Sequence, residues 1–318
     1  PSDSRLNFLV GTIESSKGDI KKGKAFFQKA IANDSTNVDA LYALALIELS
    51  EKRPKKAKRT FLQLIKQSPA HVKAYRGLAT AMLQSGDSVD VIEKMIENLK
   101  KTHKNSIGPP IVLSQISLRK NDTVKSLAHA KEALDLNTAS PISRNQILKI
   151  HNILIKNALI DKDTSNARKY ILDALKISPD SLFFLSSLAS LETSIGNIKE
   201  AKKVAIQYQK LDSISARSDL IFVDIAMAEG KPDVAFTYAT SAWGISKNNT
   251  TGRKLYAIIR QSDEPSATLF LDEWAAALPK SNQPIIIKGN VLLADKKYKS
   301  AIQSFEKATN LQPNDAIA

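Results

Sequence analysis

Cysteine is absent from all 318 residues, so the chain can build neither a disulfide nor a zinc–thiolate site. Glycine is scarce, at 11 residues. Alternating β-branched runs are few, which points to helix rather than sheet. Aromatic residues make up 6% of the chain and fall mostly at core positions, which argues against a base-stacking surface for nucleic acid. No apolar run reaches the roughly 18 residues that a membrane-crossing helix requires. No Walker loop, G-x-G-x-x-G or G-x-S-x-G occurs. The four histidines, His71, His103, His129 and His151, are scattered, and no two have the short helical spacing of a metal site. These absences predict a chain with no catalytic centre, no cofactor and no metal.

What is present is positive charge and apolar helix. The formal charge is +14 and 43% of residues are hydrophobic. Basic proteins of this kind suit acidic partners. The surplus is uneven: residues 1–70 hold 13 Lys and Arg against 7 Asp and Glu, whereas residues 215–318 hold 12 against 11. The opening Pro1-Ser2-Asp3-Ser4 has neither a basic segment nor an apolar core, so it does not read as a secretory signal. The chain is expected to be a segment of a longer array, because its last residues, from Gln312 on, look like the opening of another repeat.

The stretch from Val38 to Pro69 sets the pattern. Leu41, Leu44, Ala45 and Glu48 share one helical face, a polar turn follows at 51–53, and Ala57, Phe61 and Leu64 mark a second helix closed by Pro69. Small residues at Ala45 and Ala57 let the two helices approach closely, and one such hairpin cannot bury its apolar face alone. The pattern recurs. Gly11, Gly23 and Phe27 precede it; Tyr75, Leu78, Ala79 and Met82 follow; later copies show Ser114 and Ser126, Ala167 and Ile171, Ala189 and Ala201, Ala235 and Ala242, then Gly289, Ala301 and Phe305. The expected units are 5–37, 38–71, 72–107, 108–140, 141–181, 182–215, 216–248, 249–281 and 282–315, read as a single array. Three irregularities stand out. The third unit's second helix reads as degenerate, with Val91 and Met95 where Ala and Phe are expected. The fifth unit is displaced, with added residues near 139–147 that predict a longer first helix. The eighth unit has a shortened turn at 263–265.

This alternation of large and small residues, closed by proline, resembles the tetratricopeptide repeat (TPR). The resemblance implies an all-α, right-handed superhelical solenoid of about nine helix-turn-helix repeats that binds proteins or peptides on its concave wall. The inward polar positions then include Lys73, Arg76 and Thr80, Gln115 and Arg119, and Lys149, Asn152 and Lys156, followed by Ser186, Ser190, Asp224, Tyr256, Arg260 and Asn290. The basic candidate groove is Lys73, Arg76, Gln115, Arg119, Lys149, Asn152 and Lys156. Peptide-binding TPR co-chaperones hold a C-terminal carboxylate in a Lys/Asn/Arg clamp; Phe8, Thr12, Tyr42, Ala43 and Leu46 occupy the matching places here, so that clamp is missing. Lys52 to Arg59 forms the densest basic run, on the outer side. Trp243, Trp274, Phe26, Phe27, Phe183 and Phe184 read as core.

In texture the chain is similar to the large bacterial TPR lipoproteins of exopolysaccharide and PEP-CTERM (exosortase) systems. That resemblance implies a non-enzymatic scaffold in the bacterial envelope, periplasmic or anchored by an upstream lipid, with acidic polysaccharide as a further partner and a cytoplasmic location as the other option. A peptide-binding chaperone adaptor and an accessory arm of a larger enzyme are the alternative readings.

Overall fold

The computed structural model describes residues 3–139 and 143–311. Among these there are eighteen helices and no strand, arranged as consecutive hairpins. Two compact bodies divide inside one helix, after Tyr170. The first holds α1 (Ser4–Ser16), α2 (Ile20–Asn33), α3 (Val38–Ser50), α4 (Pro54–Gln67), α5 (Val72–Gln84), α6 (Val89–Thr102), α7 (Gly108–Arg119), α8 (Thr123–Ala139) and α9 (Arg144–Ile160). Helix α10 (Thr164–Ile177) carries the division. The second body holds α11 (Leu182–Ser194), α12 (Ile198–Leu211), α13 (Ala216–Ala228), α14 (Pro232–Ile245), α15 (Asn249–Ser262), α16 (Glu264–Ala277), α17 (Gln283–Ala294) and α18 (Tyr298–Leu311).

Eight of the nine hairpins turn on one residue with a left-handed backbone. Gly18, Gly86, Gly196 and Gly230 take φ values of 91, 88, 78 and 70°; Lys52, Asn121, Lys162 and Lys296 take 56 to 59° at the equivalent place. Such a residue ends the first helix, and at three of these turns the next helix starts on an aspartate. Asp19 accepts from Lys22 N at 2.9 Å, Asp122 from Lys125 N at 3.0 Å and Asp163 from Asn166 N at 3.0 Å.

Close packing depends on a small residue at the fourth position of every second helix except α6. Gly23, Ala57, Ser126, Ala167, Ala201, Ala235, Ala267 and Ala301 fill that place, and all are buried. Aromatic rings then lie directly on helix backbone. Phe61 packs on Gly77, where a Cβ would come within 2.2 Å of the ring, and Trp274 packs on Gly252, where it would come within 2.6 Å. The two serines predicted at small positions make a buried polar joint. Ser114 Oγ donates to Ser126 O at 2.7 Å, Ser126 Oγ donates to Ser114 O at 2.8 Å, and Asn157 Nδ2 donates to Ser126 Oγ at 3.0 Å. Buried donors paired in this way avoid the desolvation penalty of an orphaned group.

Several expectations need correction. In α6 the buried residues are Ile92 and Ile96, while Val91 is half-exposed. The N-cap is Ser88, so the turn holds one extra residue and the helix phase moves by one. Asp87 instead meets Lys58 at 3.2 Å. The extra residues of the fifth unit lengthen both α8 and α9, each 17 residues; residues 140–142 lie outside the described chain. The eighth turn shrinks to Asp263 alone. Phe183 is 54% exposed although Phe184 is buried. Tyr256 and Ser186 are buried rather than groove-facing. The readings of Pro1-Ser2 and of residues 312–318, including Pro313, fall outside the described residues. Both tryptophans are core: Trp274 is fully buried, and Trp243 is buried with its Nε1 donating to Glu273 at 3.0 Å.

Candidate functional site

Helices α5, α7 and α9 are the first helices of three successive hairpins, so the same side of each faces one concavity. Apolar residues facing the neighbouring helices hold them together: Tyr75 and Leu78 in α5, Leu113 and Ile116 in α7, and Ile150 and Leu154 in α9 are all buried. The long polar residues one helical step away are left on the open side. They line a groove of about 740 Å³. Lys73, Arg76, Gln115, Arg119, Lys149, Asn152 and Lys156 all border it. Val72, Ile111 and Ile153 supply an apolar floor.

The electrostatics of this groove are one-sided. Five of its lining residues are cations and none is a carboxylate. Arg76, Arg119, Lys149 and Lys156 take part in no ion pair among the described residues, and Lys73 Nζ sits 5.9 Å from the centre of the Tyr42 ring. Several lysines elsewhere are engaged in repeat-to-repeat pairs: Lys24 with Glu51, Lys58 with Asp87, Lys100 with Glu132, and Lys202 with Glu229. The basic run at 52–59 belongs partly to that set, because Lys58 reaches Asp87 and Arg53 reaches Glu51 at 3.3 Å. Unpaired cations held close together on a fixed wall repel one another and attract any anionic ligand, most strongly at low salt.

At the rim, His71 precedes α5. Burial pushes its ring below the ordinary histidine value, so the neutral form is favoured, and nearby Lys73 acts in the same direction.

A second cavity, about 180 Å³, joins the groove and shares Arg76, Gln115 and Arg119 with it. Its remaining lining is largely apolar: Ala79, Leu83, Val89, Ile92, Val112 and Ile116, with Thr80. The cavity exists because α5 and α6 part here. Ile92 stands at the one fourth position that elsewhere holds Gly, Ala or Ser. Its branched side chain prevents the close approach that a small residue permits. The sequence reading missed this slot by assigning the packing positions of α6 to Val91 and Met95, one residue before the buried Ile92 and Ile96; the signal was Ser88, an N-cap that lengthens the turn by one residue.

Among the described residues no group of three or more His, Asp or Glu is placed to hold a metal ion, and no helix is long and apolar enough to cross a membrane.

Comparison with known proteins agrees with the repeated helical hairpins. Tetratricopeptide repeat models match residues 16–81 and 285–315. No curated protein matches the sequence. Among solved structures, the human IFIT1 dimer with m7Gppp-AAAA is similar over 92% of this chain and 67% of its own, at 16% identity and a TM-score of 0.51. The APC/C Cut9–Hcn1 hetero-tetramer is similar at 13% identity and a TM-score of 0.49, and the chain spans 58% of that relative's length. Pseudomonas aeruginosa PilF is similar over 80% of this chain and 96% of its own, at 14% identity and a TM-score of 0.49. Likeness at these identities concerns the helical-repeat fold alone.

Proposed function

We propose that this chain, which carries tetratricopeptide repeats, works as a non-enzymatic scaffold that holds an acidic, extended segment of a partner protein in the groove of α5, α7 and α9. The observation behind this reading is the set of five lining cations with no carboxylate among them. An isolated fold of this class can serve many systems, so the site, not the fold, has to supply the argument. A wall built for structure alone would neutralise its charges, as the repeat-to-repeat lysines do. Asn152 and Gln115 add amide donors and acceptors that suit a peptide backbone.

The nine hairpins are read here as one array, with the third to fifth units as the binding part. The envelope setting, near an exopolysaccharide or protein-sorting assembly, is the finer part of the proposal and is supported by repeat texture.

The test is crosslinked capture from the source cell, with the whole chain beside a four-site reversal, Arg76→Glu, Arg119→Glu, Lys149→Glu and Lys156→Glu. Protein partners that are lost on reversal, and that weaken as salt rises, are the expected result. Equal recovery by both chains would remove the groove from the proposal. Recovery from the membrane fraction is expected if the envelope setting is right; recovery from the cytosol alone would overturn that setting and leave the groove untouched.

A further inference from the structure

The slot behind Ile92 has no role in a purely electrostatic groove, yet it opens onto the same three residues, Arg76, Gln115 and Arg119. We propose that it is an anchor pocket: the acidic segment inserts one apolar side chain, Leu or Phe in size, between α5 and α6, while its flanking carboxylates meet the groove cations. This rests on the groove reading above and specifies the sequence its ligand carries.

Three observations carry the inference. The first is size. The slot's 180 Å³ is close to the roughly 150 Å³ of apolar cavity that admits a benzene ring. The second is chemistry. Ala79, Leu83, Val89, Ile92, Val112 and Ile116 offer no polar group to a ligand, and the Thr80 hydroxyl donates to Arg76 O at 3.0 Å, so water on the apolar side gains few hydrogen bonds and an apolar group displaces it favourably. Leu83 and Val89 are 41% and 36% exposed, which leaves the slot open to a side chain from outside. The third is placement. Arg76 and Arg119 flank the mouth and make no ion pair of their own among the described residues, so a residue entering the slot arrives with its neighbours beside two guanidinium groups. These present planar donor pairs suited to carboxylates. The occupant is therefore an acidic peptide with an internal apolar residue, and charge complementarity selects it over an apolar helix or a second copy of this basic chain.

The experiment uses the whole chain and short fluorescent peptides of Asp, Glu, Ser and Gly with Phe, Leu or Ala at the centre, read by anisotropy. The Phe or Leu peptide is expected to bind about tenfold or more tightly than the Ala peptide. Two variants locate the effect. Ala79→Leu fills the slot from inside, and Thr80→Phe covers its mouth from an exposed position that carries little folding risk. Each is expected to bring the Phe peptide down to the affinity of the Ala peptide while leaving the Ala peptide's own affinity unchanged. Equal affinity of Phe, Leu and Ala peptides, with binding still lost on charge reversal of Arg76 and Lys149, would overturn the anchor pocket and keep the groove. A central-residue preference that survives both variants would also overturn it, because the apolar contact would lie elsewhere. Absence of binding by every peptide, in the wild-type chain as in the variants, would overturn both readings.

Discussion

The first helices of the two bodies treat their charges in opposite ways. In the N-terminal body, Arg76, Arg119, Lys149 and Lys156 border a groove without a carboxylate. In the C-terminal body, α11 has no Lys or Arg at all, Lys254 pairs with Asp224, Arg260 lies 3.6 Å from Glu264, and Lys288 lies 2.6 Å from Asp272. Both bodies use the same hairpin and the same small-residue contacts. The difference is therefore not demanded by the fold. Exposed ion pairs contribute little to stability, about 0–1 kcal/mol each, so pairing or leaving a cation free has a small effect on folding and a large one on what the surface attracts. The N-terminal body gathers unpaired cations where three first helices share a wall, whereas Lys254, Arg260 and Lys288 of the C-terminal body each face a carboxylate.

The bodies differ in packing too. Every described fourth position of a second helix in the C-terminal body is alanine, whereas the N-terminal body contains Ile92 at α6. A bulky residue at a contact meant for a small one makes a local opening, and the opening coincides with the charged groove.

The sharpest way to break the comparison is to move the charge. Reversal of the four groove cations is expected to weaken binding of an acidic partner by more than about a hundredfold, since each contact contributes on the order of 1 kcal/mol. Reversal of Lys254 and Lys288 in the other body is expected to leave binding within about twofold. Titration calorimetry on both variants checks this; matched losses would mean that net charge, not the groove, drives binding.

Packing gives the next largest effect. Trp274→Ala removes a fully buried ring from the C-terminal body and is expected to cost about 3–5 kcal/mol. Ile92→Ala restores the small residue and lets α6 close on α5, so its cost is expected to fall at or below about 2 kcal/mol, the bottom of the usual range. Denaturant unfolding separates the two, because in a repeat array each loss appears first in the hairpins next to the change.

Acid sharpens the contrast further. All four histidines lie in residues 1–170, and both tryptophans lie in residues 171–318. His71 is held below its unfolded value by burial. The unfolded chain therefore takes up the proton first, and stability falls as pH drops below about 6.5. Glu51 and Glu229 are held low by Lys24 and Lys202, and their contribution is lost only as pH falls below about 4.3. Between pH 7 and 5, melts followed by circular dichroism are expected to shift down through the N-terminal body, while melts followed by tryptophan fluorescence stay put. His71→Gln is expected to flatten the first of these; an unchanged slope would assign the effect elsewhere.

The smallest effect concerns the turns. Lys52 and Lys162 hold the left-handed backbone that Gly196 and Gly230 hold in the other body. Lys162→Gly is expected to raise stability by up to about 1 kcal/mol, and Gly196→Ala to lower it by a similar amount. Thermal melts of the two variants moving in the same direction would contradict the equivalence of these turns.

Sequence alone determined the helical class and the count of hairpins, because a helix face repeats on a fixed period and small residues mark where helices touch. Lys73, Arg76 and Lys149 could be placed on first helices from spacing, even though the third and fifth units are irregular. Tertiary structure decided what spacing could not. One extra turn residue before α6 moved Ile92 and Ile96 into the core and opened the slot. Phe183 and Tyr256 exchanged the environments expected of them, since a neighbouring hairpin, not the residue's own helix, covers or exposes that face. Which cations remain free was likewise decided in three dimensions: Lys58 and Lys254 look no different in sequence from Lys149, and only the arrival of Asp87 and Asp224 from adjacent hairpins neutralises the first two.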